Sequence, residues 1–149
     1  MPSNFFIKLF PENVVGNWDI VKFAIRNSLP PSAQDTPDKM TRVLESIVAG
    51  ELDVWVYYTY DTEVHVKNIL TTKIIRDTET DTKSLLIYSV YSFDHTTQEY
   101  WEEALMKLKE YAQANGCVAV TGFSKDEYVL RFVESVGGDT SVRFVKIPV

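Results

Sequence analysis

The chain has 149 residues, the size of one ordinary domain, and its 15 basic and 21 acidic side chains give a net charge of −6. That balance is unsuited to general binding of phosphate backbones, so no nucleic-acid partner is expected. No apolar run approaches the roughly 18 residues of a membrane span, and residues 1–10 lack the pattern of a signal peptide. We therefore expect one soluble domain over residues 1–149 that is cytoplasmic when synthesised.

The first half of the chain predicts a strand followed by two helices. Apolar residues over 5–10 predict the strand, and a polar turn should follow it. Asn17 and Thr36 stand where N-caps of two helices are expected, the second with Pro37 at its first helical position. Gly50 should end the second helix in a left-handed conformation.

Three strands are predicted next, over residues 52–60, 63–76 and 85–91. The short polar turns between them predict an antiparallel meander. Both faces of the first of these strands are apolar, with Leu52, Val54, Val56 and Tyr58 pointing one way and Trp55 and Tyr57 the other. Helices should therefore cover both faces of the sheet.

The C-terminal half predicts helix, strand, helix, strand. The first helix runs from residue 98 to its end at Gly116, and a strand follows over 117–123. This helix is long enough to connect two parallel strands, and ligands in such sheets bind at the carboxyl ends of the strands. Any site is therefore expected in the turn of residues 92–97. A last strand is predicted over 139–149.

Few residues could hold a metal or act as a nucleophile. Cys117 is the only cysteine and there are two histidines, so no disulfide and no metal site are expected. Cys117 begins an apolar strand, which is typical of a small core residue.

The element order β-α-α-β-β-β-α-β-α-β resembles that of the GNAT acyltransferase superfamily. The runs LLIYSVY, ALMKLKEYAQANGCVAV and YVLRFVESVGG resemble it as well, and the resemblance covers essentially the whole chain. It implies an α/β (α+β) fold with a mixed, mostly antiparallel sheet flanked by helices. It also implies that acetyl-CoA binds between strands 85–91 and 117–123 and gives its acetyl group to an amine.

Two signatures of that family are missing. Its glycine-rich pyrophosphate loop, Q/R-x-x-G-x-G/A, falls on SFDHTTQEYWEEA, which has no glycine, lysine or arginine. Its proton-donating tyrosine falls on Val133 when the last helix is aligned on Gly137. In addition, Thr96 and Glu99 form a capping-box pattern, which would use the N–H groups at the start of the helix. The sequence therefore predicts a pseudoenzyme that has lost acetyl-CoA binding, with no cofactor.

Such a chain is expected to be a structural or docking component of a larger assembly, with a protein partner or further copies of itself. The sequence resembles the degenerate acyltransferase-like proteins of tailed phages, which implies a place in the host cytoplasm or the virion. The candidate interaction surface consists of Trp55, Tyr57, Tyr100 and Trp101. Burial of these aromatic residues in a two-sided core is the other interpretation.

The alternative is a divergent acetyl-CoA-dependent N-acetyltransferase that acts on a cationic amine. Asp94 and His95 would then be the acid/base pair. Strand backbone at Val90, Tyr91 and Ser92 would hold the cofactor. A third interpretation is a regulatory domain that binds another small molecule in the same cleft.

Overall fold

The computed structural model describes residues 3–149, so the first two residues of the predicted domain lie outside the described part. Its elements in chain order are β1 (Ser3–Lys8), α1 (Pro11–Gly16), α2 (Trp18–Arg26), α3 (Lys39–Val48), β2 (Asp53–Tyr60), β3 (Val64–Asp77), β4 (Thr82–Ser92), α4 (Gln98–Ala114), β5 (Cys117–Thr121) and α5 (Glu127–Ser135). None of these helices is both long enough and apolar enough to cross a bilayer.

The five strands form one sheet in the order β1-β2-β3-β4-β5. Neighbouring strands from β1 to β4 are antiparallel. β5 runs parallel to β4, because α4 carries the chain back along the sheet before β5 begins. The predicted meander, the parallel last pair and the mixed, mostly antiparallel sheet are confirmed.

Helices cover both faces of this sheet, as the alternation along β2 predicts. Val54 and Val56 belong to the buried cluster under α1, α2 and α3. Trp55 and Tyr57 belong to the cluster under α4 on the other face. One strand thus contributes to both cores because its successive side chains point to opposite faces.

The predicted aromatic interaction surface is wrong for three of its four residues. Trp55 is 6 % exposed, Tyr57 9 % and Tyr100 1 %, whereas Trp101 is half-buried. The Trp55 indole N–H donates to the hydroxyl of Thr72 at 3.0 Å inside the core. The two-sided core is therefore the correct interpretation of these three side chains.

The N-terminal helices begin at other residues than predicted. The polar turn predicted after the first strand is largely α1, whose Pro11 lies in the first turn, where a missing N–H costs no hydrogen bond. Asn17 precedes α2 without capping it, because its side-chain amide donates to the carbonyl of Asn13. α3 begins at Lys39, since the Thr36 hydroxyl donates to Asp38 at 2.8 Å instead of capping the helix.

No strand forms over residues 139–149, where the sequence predicts the last one. A strand needs a neighbour to pair its backbone groups, and this segment makes no backbone hydrogen bond to β5. Its contact near β5 is between the rings of Phe144 and Phe123, whose centroids are 5.4 Å apart.

Gly50 follows α3 with a φ of +78°, which confirms it as the left-handed end of that helix. Gly16 at the end of α1 has no positive φ, and an added Cβ would meet nothing within 4 Å at either glycine. We expect Gly50→Ala to lower the free energy of unfolding by about 1 kcal/mol through backbone strain alone. Gly16→Ala should be neutral or slightly stabilising. Urea unfolding of both variants measures this, and equal losses would contradict the assignment.

Candidate functional site

β4 and β5 lie side by side only over part of β4. Their paired positions run from Lys83 with Cys117 to Leu86 with Thr121. β5 ends at Thr121, whereas β4 continues to Ser92. Among residues 3–149 no other strand pairs with that edge of β4, so its backbone is open to a ligand over residues 88–92.

A bulge in β4 lies at the point where the two strands separate. The register between β3 and β4 shifts so that Thr72 pairs with Ile87 and Thr71 with Ser89, which leaves Tyr88 as the extra residue. Bulges bend a strand and increase its local twist. The bulge therefore bends β4 just beyond its last paired position with β5, Leu86.

A buried polar network joins the end of β4 to the start of α4. Asn68 of β3 is fully buried. Its side-chain amide donates to the Ser92 hydroxyl at 2.8 Å, and its side-chain carbonyl accepts from the Tyr100 hydroxyl at 2.7 Å. Burial raises the pKa of Tyr100, so its phenol stays protonated and remains a donor. The network holds the first turn of α4 against the carboxyl end of β4.

Sequence reasoning missed this network, although one signal was present. Asn68 stands at the start of the run NILTT in a strand that is buried on both sides. A buried amide almost always has partners, so its presence in a buried strand pointed to a network even though the partners could not be named.

α4 begins at Gln98 as predicted, but its N-cap lies one residue later than predicted. Thr97 is the N-cap, and its hydroxyl accepts from the backbone N–H of Tyr100 at 3.2 Å. Glu99 is then the second helical residue, so the predicted capping box of Thr96 and Glu99 is wrong. In the described part of the chain, the backbone N–H groups of Gln98 and Glu99 have no acceptor. These two donors are available to a ligand.

Asp94 and His95 lie in the turn before α4, and no hydrogen bond joins their side chains within residues 3–149. The Asp94 carboxylate accepts from the Lys67 ammonium at 2.9 Å and from the backbone N–H of His95 at 2.8 Å. The hydrogen bond from Lys67 is the main reason that the pKa of Asp94 is lowered. Asp94 is thus held ionised and paired with Lys67, and its hydrogen bond to His95 is to the backbone N–H. The acid/base role of Asp94 and His95 stays a prediction.

The three residues predicted to hold a cofactor through their backbone lie together in the open part of β4. Val90, Tyr91 and Ser92 pair with β3 on one edge, and their other edge faces the gap beyond β5. The Tyr91 ring packs edge-on against Phe23 of α2, with centroids 5.5 Å apart. Their role in binding stays a prediction.

A basic cavity of about 380 Å³ lies between α3 and the sheet, beside the β4 bulge. Its lining includes Lys39 and Arg42 of α3, Lys73 of β3 and the ring of Tyr88, with Glu51 as the acidic member. None of the three cations takes part in an ion pair among residues 3–149. Burial raises the pKa of the Tyr88 phenol, which stays protonated. In a chain of net charge −6, this cavity favours anionic groups.

Comparisons with known proteins identify structures of similar fold. No family model matches the sequence, and no curated protein matches it significantly. Similar solved structures include an aminoglycoside acetyltransferase from an uncultured soil metagenomic sample, with 17 % identity, 99 % coverage of each chain and a TM-score of 0.69.

Two further structures agree. One is an aminoglycoside N-acetyltransferase in complex with CoA, with 11 % identity, coverage of 99 % of this chain and 95 % of that one, and a TM-score of 0.70. The other is the glucosamine-6-phosphate N-acetyltransferase of Arabidopsis thaliana, with 13 % identity, coverage of 97 % and 98 %, and a TM-score of 0.64. At such identities the similarity shows the fold alone. This chain therefore has the fold of the GNAT acetyltransferases.

Proposed function

We propose that the protein is an acyl-CoA N-acyltransferase that holds acetyl-CoA in the gap between β4 and β5. The observation that carries the proposal is the open backbone edge of β4 beyond Leu86, in a chain with the fold of acetyltransferases. A protein of similar fold was solved with CoA. These neighbours support the alternative interpretation of the sequence better than the loss of acetyl-CoA binding.

Two groups of backbone atoms fit the cofactor. Peptide groups of Val90 to Ser92 on the open edge suit the amides of the pantetheine arm, which bind as an added strand would. The free N–H groups of Gln98 and Glu99 at the positive end of α4 suit the pyrophosphate. The carboxylates of Glu99 and Glu102 in the same two turns oppose it. We therefore expect the pantetheine arm to supply most of the affinity.

The acceptor is an amine that also carries a carboxylate or phosphate. The cavity beside Tyr88 is lined by Lys39, Arg42 and Lys73, which repel the cationic amine expected from the acidic turn. Among the similar structures, one is named for glucosamine-6-phosphate and four for aminoglycosides, which are polycations. The basic lining of this cavity supports an acceptor that carries an anionic group, as glucosamine 6-phosphate does, over a polycation.

Calorimetric titration with acetyl-CoA at low salt tests the proposal. We expect saturable binding in the micromolar range, and acetyl-pantetheine, which lacks the pyrophosphate, should retain most of the affinity. Release of CoA in the presence of glucosamine 6-phosphate then tests transfer. No heat with either ligand at high protein concentration would contradict the proposal and favour a docking pseudoenzyme, such as a phage structural component.

A further inference from the structure

Three aromatic rings contact one another at the carboxyl end of β4. The ring of Phe23 on α2 packs edge-on against Tyr91, with centroids 5.5 Å apart. The ring of Phe93 lies 4.9 Å from Tyr91 and 6.3 Å from Phe23. Phe23 is 51 % exposed and Phe93 37 %. These three residues, called the aromatic cluster below, offer exposed ring surface beside the proposed cofactor edge.

The backbone under the aromatic cluster is fixed by hydrogen bonds. The N–H of Phe93 donates to the carbonyl of Lys67 at 2.9 Å, so Phe93 continues the pairing of β4 with β3. Tyr91 pairs with Ile69 of β3. The Lys67 ammonium also donates to the Asp94 carboxylate at 2.9 Å, which fixes the residue that follows Phe93. Rings held in this way lose little freedom when a further ring stacks on them.

The aromatic cluster and the basic cavity lie at the two ends of one stretch of β4. Tyr88 lines the cavity and Tyr91 belongs to the cluster. Both pack against the core under α1, α2 and α3, so they lie on the same face of the sheet. Three strand residues separate them by about 10 Å. α2 follows the same stretch, since Phe23 is in the cluster and Leu29, just after the helix, lines the cavity.

A molecule on this face of β4 meets three different surfaces. At one end are the cations of the cavity, Lys39, Arg42 and Lys73. At the other end are the exposed rings of the aromatic cluster. Between them lies the open backbone edge of β4 over residues 88–92, where the proposed function places the cofactor. These surfaces suit an anion, a ring and a reacting amine respectively.

We infer that the acyl acceptor is an α-amino acid with an aromatic side chain, an inference that rests on the proposed function. Its carboxylate pairs with the cations of the cavity. Its amino group faces the open edge of β4, and its ring stacks on the aromatic cluster. Transfer forms the N–C bond of an N-acetyl amino acid and breaks the C–S bond of the thioester. The proton that leaves the nitrogen ends on the sulfur of CoA.

The dimensions of such an amino acid fit this arrangement. Its carboxylate carbon lies about 5 Å from the centre of its ring. A charge-assisted hydrogen bond adds ~3 Å at one end, and stacking adds ~5 Å between ring centroids at the other. The bound molecule therefore spans the ~10 Å from Tyr91 to Tyr88 and still reaches the cations beyond Tyr88. Its amino group is on the carbon next to the carboxylate, which places the nitrogen beside Tyr88 at the start of the open edge.

A sugar phosphate fits the cavity but not the aromatic cluster. In glucosamine 6-phosphate the sugar ring lies between the phosphate and the amine. With the phosphate in the cavity and the amine at the open edge, that ring fills the space between them and leaves Phe23 and Phe93 exposed. An aromatic amino acid uses all three surfaces, so we expect it to bind more tightly.

Titration with L-phenylalanine, followed by NMR of the full chain with and without CoA, tests the inference. We expect phenylalanine to bind at least about tenfold more tightly than alanine, which lacks the ring. Phenylalaninamide, which lacks the carboxylate, should bind at least about tenfold more weakly than phenylalanine. Absence of phenylalanine binding in both conditions, or equal binding of phenylalanine and alanine, would overturn the inference.

Substitutions in the aromatic cluster locate the ring. Phe23→Ala and Phe93→Ala should each raise the Kd for phenylalanine at least about fivefold and leave the Kd for glucosamine 6-phosphate unchanged. Both side chains are exposed, so the variants should fold. Phe10→Ala is the matched control, because Phe10 is a phenylalanine that is 68 % exposed and outside the cluster. If Phe10→Ala raises the Kd for phenylalanine as much as the cluster variants do, the ring does not bind at the cluster and the inference is wrong.

Two further results separate this inference from the proposed function. If acetyl-CoA does not bind but phenylalanine binds with the expected dependence on Phe23, acetyl transfer is ruled out and the amino-acid site stands. If acetyl-CoA binds and glucosamine 6-phosphate releases CoA while phenylalanine neither binds nor reacts, the proposed function stands and the amino-acid site is wrong.

Discussion

Replacing Asn68 with alanine is expected to lower the free energy of unfolding by about 3 kcal/mol. Asn68 is fully buried and links the hydroxyls of Ser92 and Tyr100. Alanine leaves the Tyr100 hydroxyl buried without its acceptor, at a cost of about 1–3 kcal/mol, and adds a small cavity. Urea unfolding followed by circular dichroism measures the change.

The pairing itself is tested by a double-mutant cycle. Tyr100→Phe removes the donor and should lower the free energy of unfolding by about 1–2 kcal/mol, because the Asn68 carbonyl then lacks its partner. The double variant Asn68→Ala, Tyr100→Phe should lose about 1 kcal/mol less than the two single losses added together. Strict additivity would show that the two side chains do not depend on each other.

The same network is expected to matter for acetyl-CoA. Asn68→Ala frees the first turn of α4 from the end of β4, so the affinity for acetyl-CoA should fall at least about threefold under conditions where the protein stays folded. Leu108→Ala is the control, since Leu108 is 2 % exposed in the same cluster but lies nearly three turns from the start of α4. Leu108→Ala should cost about 2–5 kcal/mol of stability and leave the affinity unchanged. If Asn68→Ala and Leu108→Ala bind acetyl-CoA with equal affinity, Asn68 does not position the binding site.

Local patterns were sufficient to predict most of the fold. The alternation along β2 predicted a core on each face because a strand exposes successive side chains to opposite sides. Gly50 and Gly116 marked helix ends because both adopt positive φ. The cap of α4 was missed by one residue because Thr96 and Thr97 offer the same hydroxyl, and the path of the chain out of β4 decides between them.

The site was less accessible to such reasoning. The hydrogen bond between Asn68 and Tyr100 joins residues 32 positions apart. Hydrophobic periodicity is a local pattern and does not predict contacts between residues so far apart in sequence. From the sequence alone Trp55 and Tyr57 are candidates for an interaction surface, because aromatic residues suit both cores and interfaces. Their burial depends on how much of the sheet α4 covers, which only the packed structure reveals. The charge of the cavity depends likewise on α3 and β3 meeting, which brings Arg42 and Lys73 together.

Reversing one charge in that cavity is expected to weaken acceptor binding strongly. Arg42→Glu should raise the KM for glucosamine 6-phosphate at least about tenfold, which corresponds to about 1.4 kcal/mol, because it replaces attraction of the phosphate by repulsion. The kcat should change little, since the phosphate contact is the same in the ground state and the transition state. Steady-state release of CoA measures both constants.

The control variant Lys109→Glu distinguishes the effect of charge inside the cavity from the effect of the net charge of the protein. Lys109 is exposed on α4, outside the residues that line the cavity, and its reversal changes the net charge by the same amount as Arg42→Glu. We expect the KM of Lys109→Glu for glucosamine 6-phosphate to stay close to the wild-type value. For an amine acceptor that carries no anionic group, we expect the KM to be unchanged in both variants. If both reversals raise the KM for glucosamine 6-phosphate equally, the long-range field of the protein is responsible and the cavity is not the acceptor site. If Arg42→Glu instead lowers that KM, the acceptor does not place its anionic group against α3, and a cationic amine becomes the better candidate.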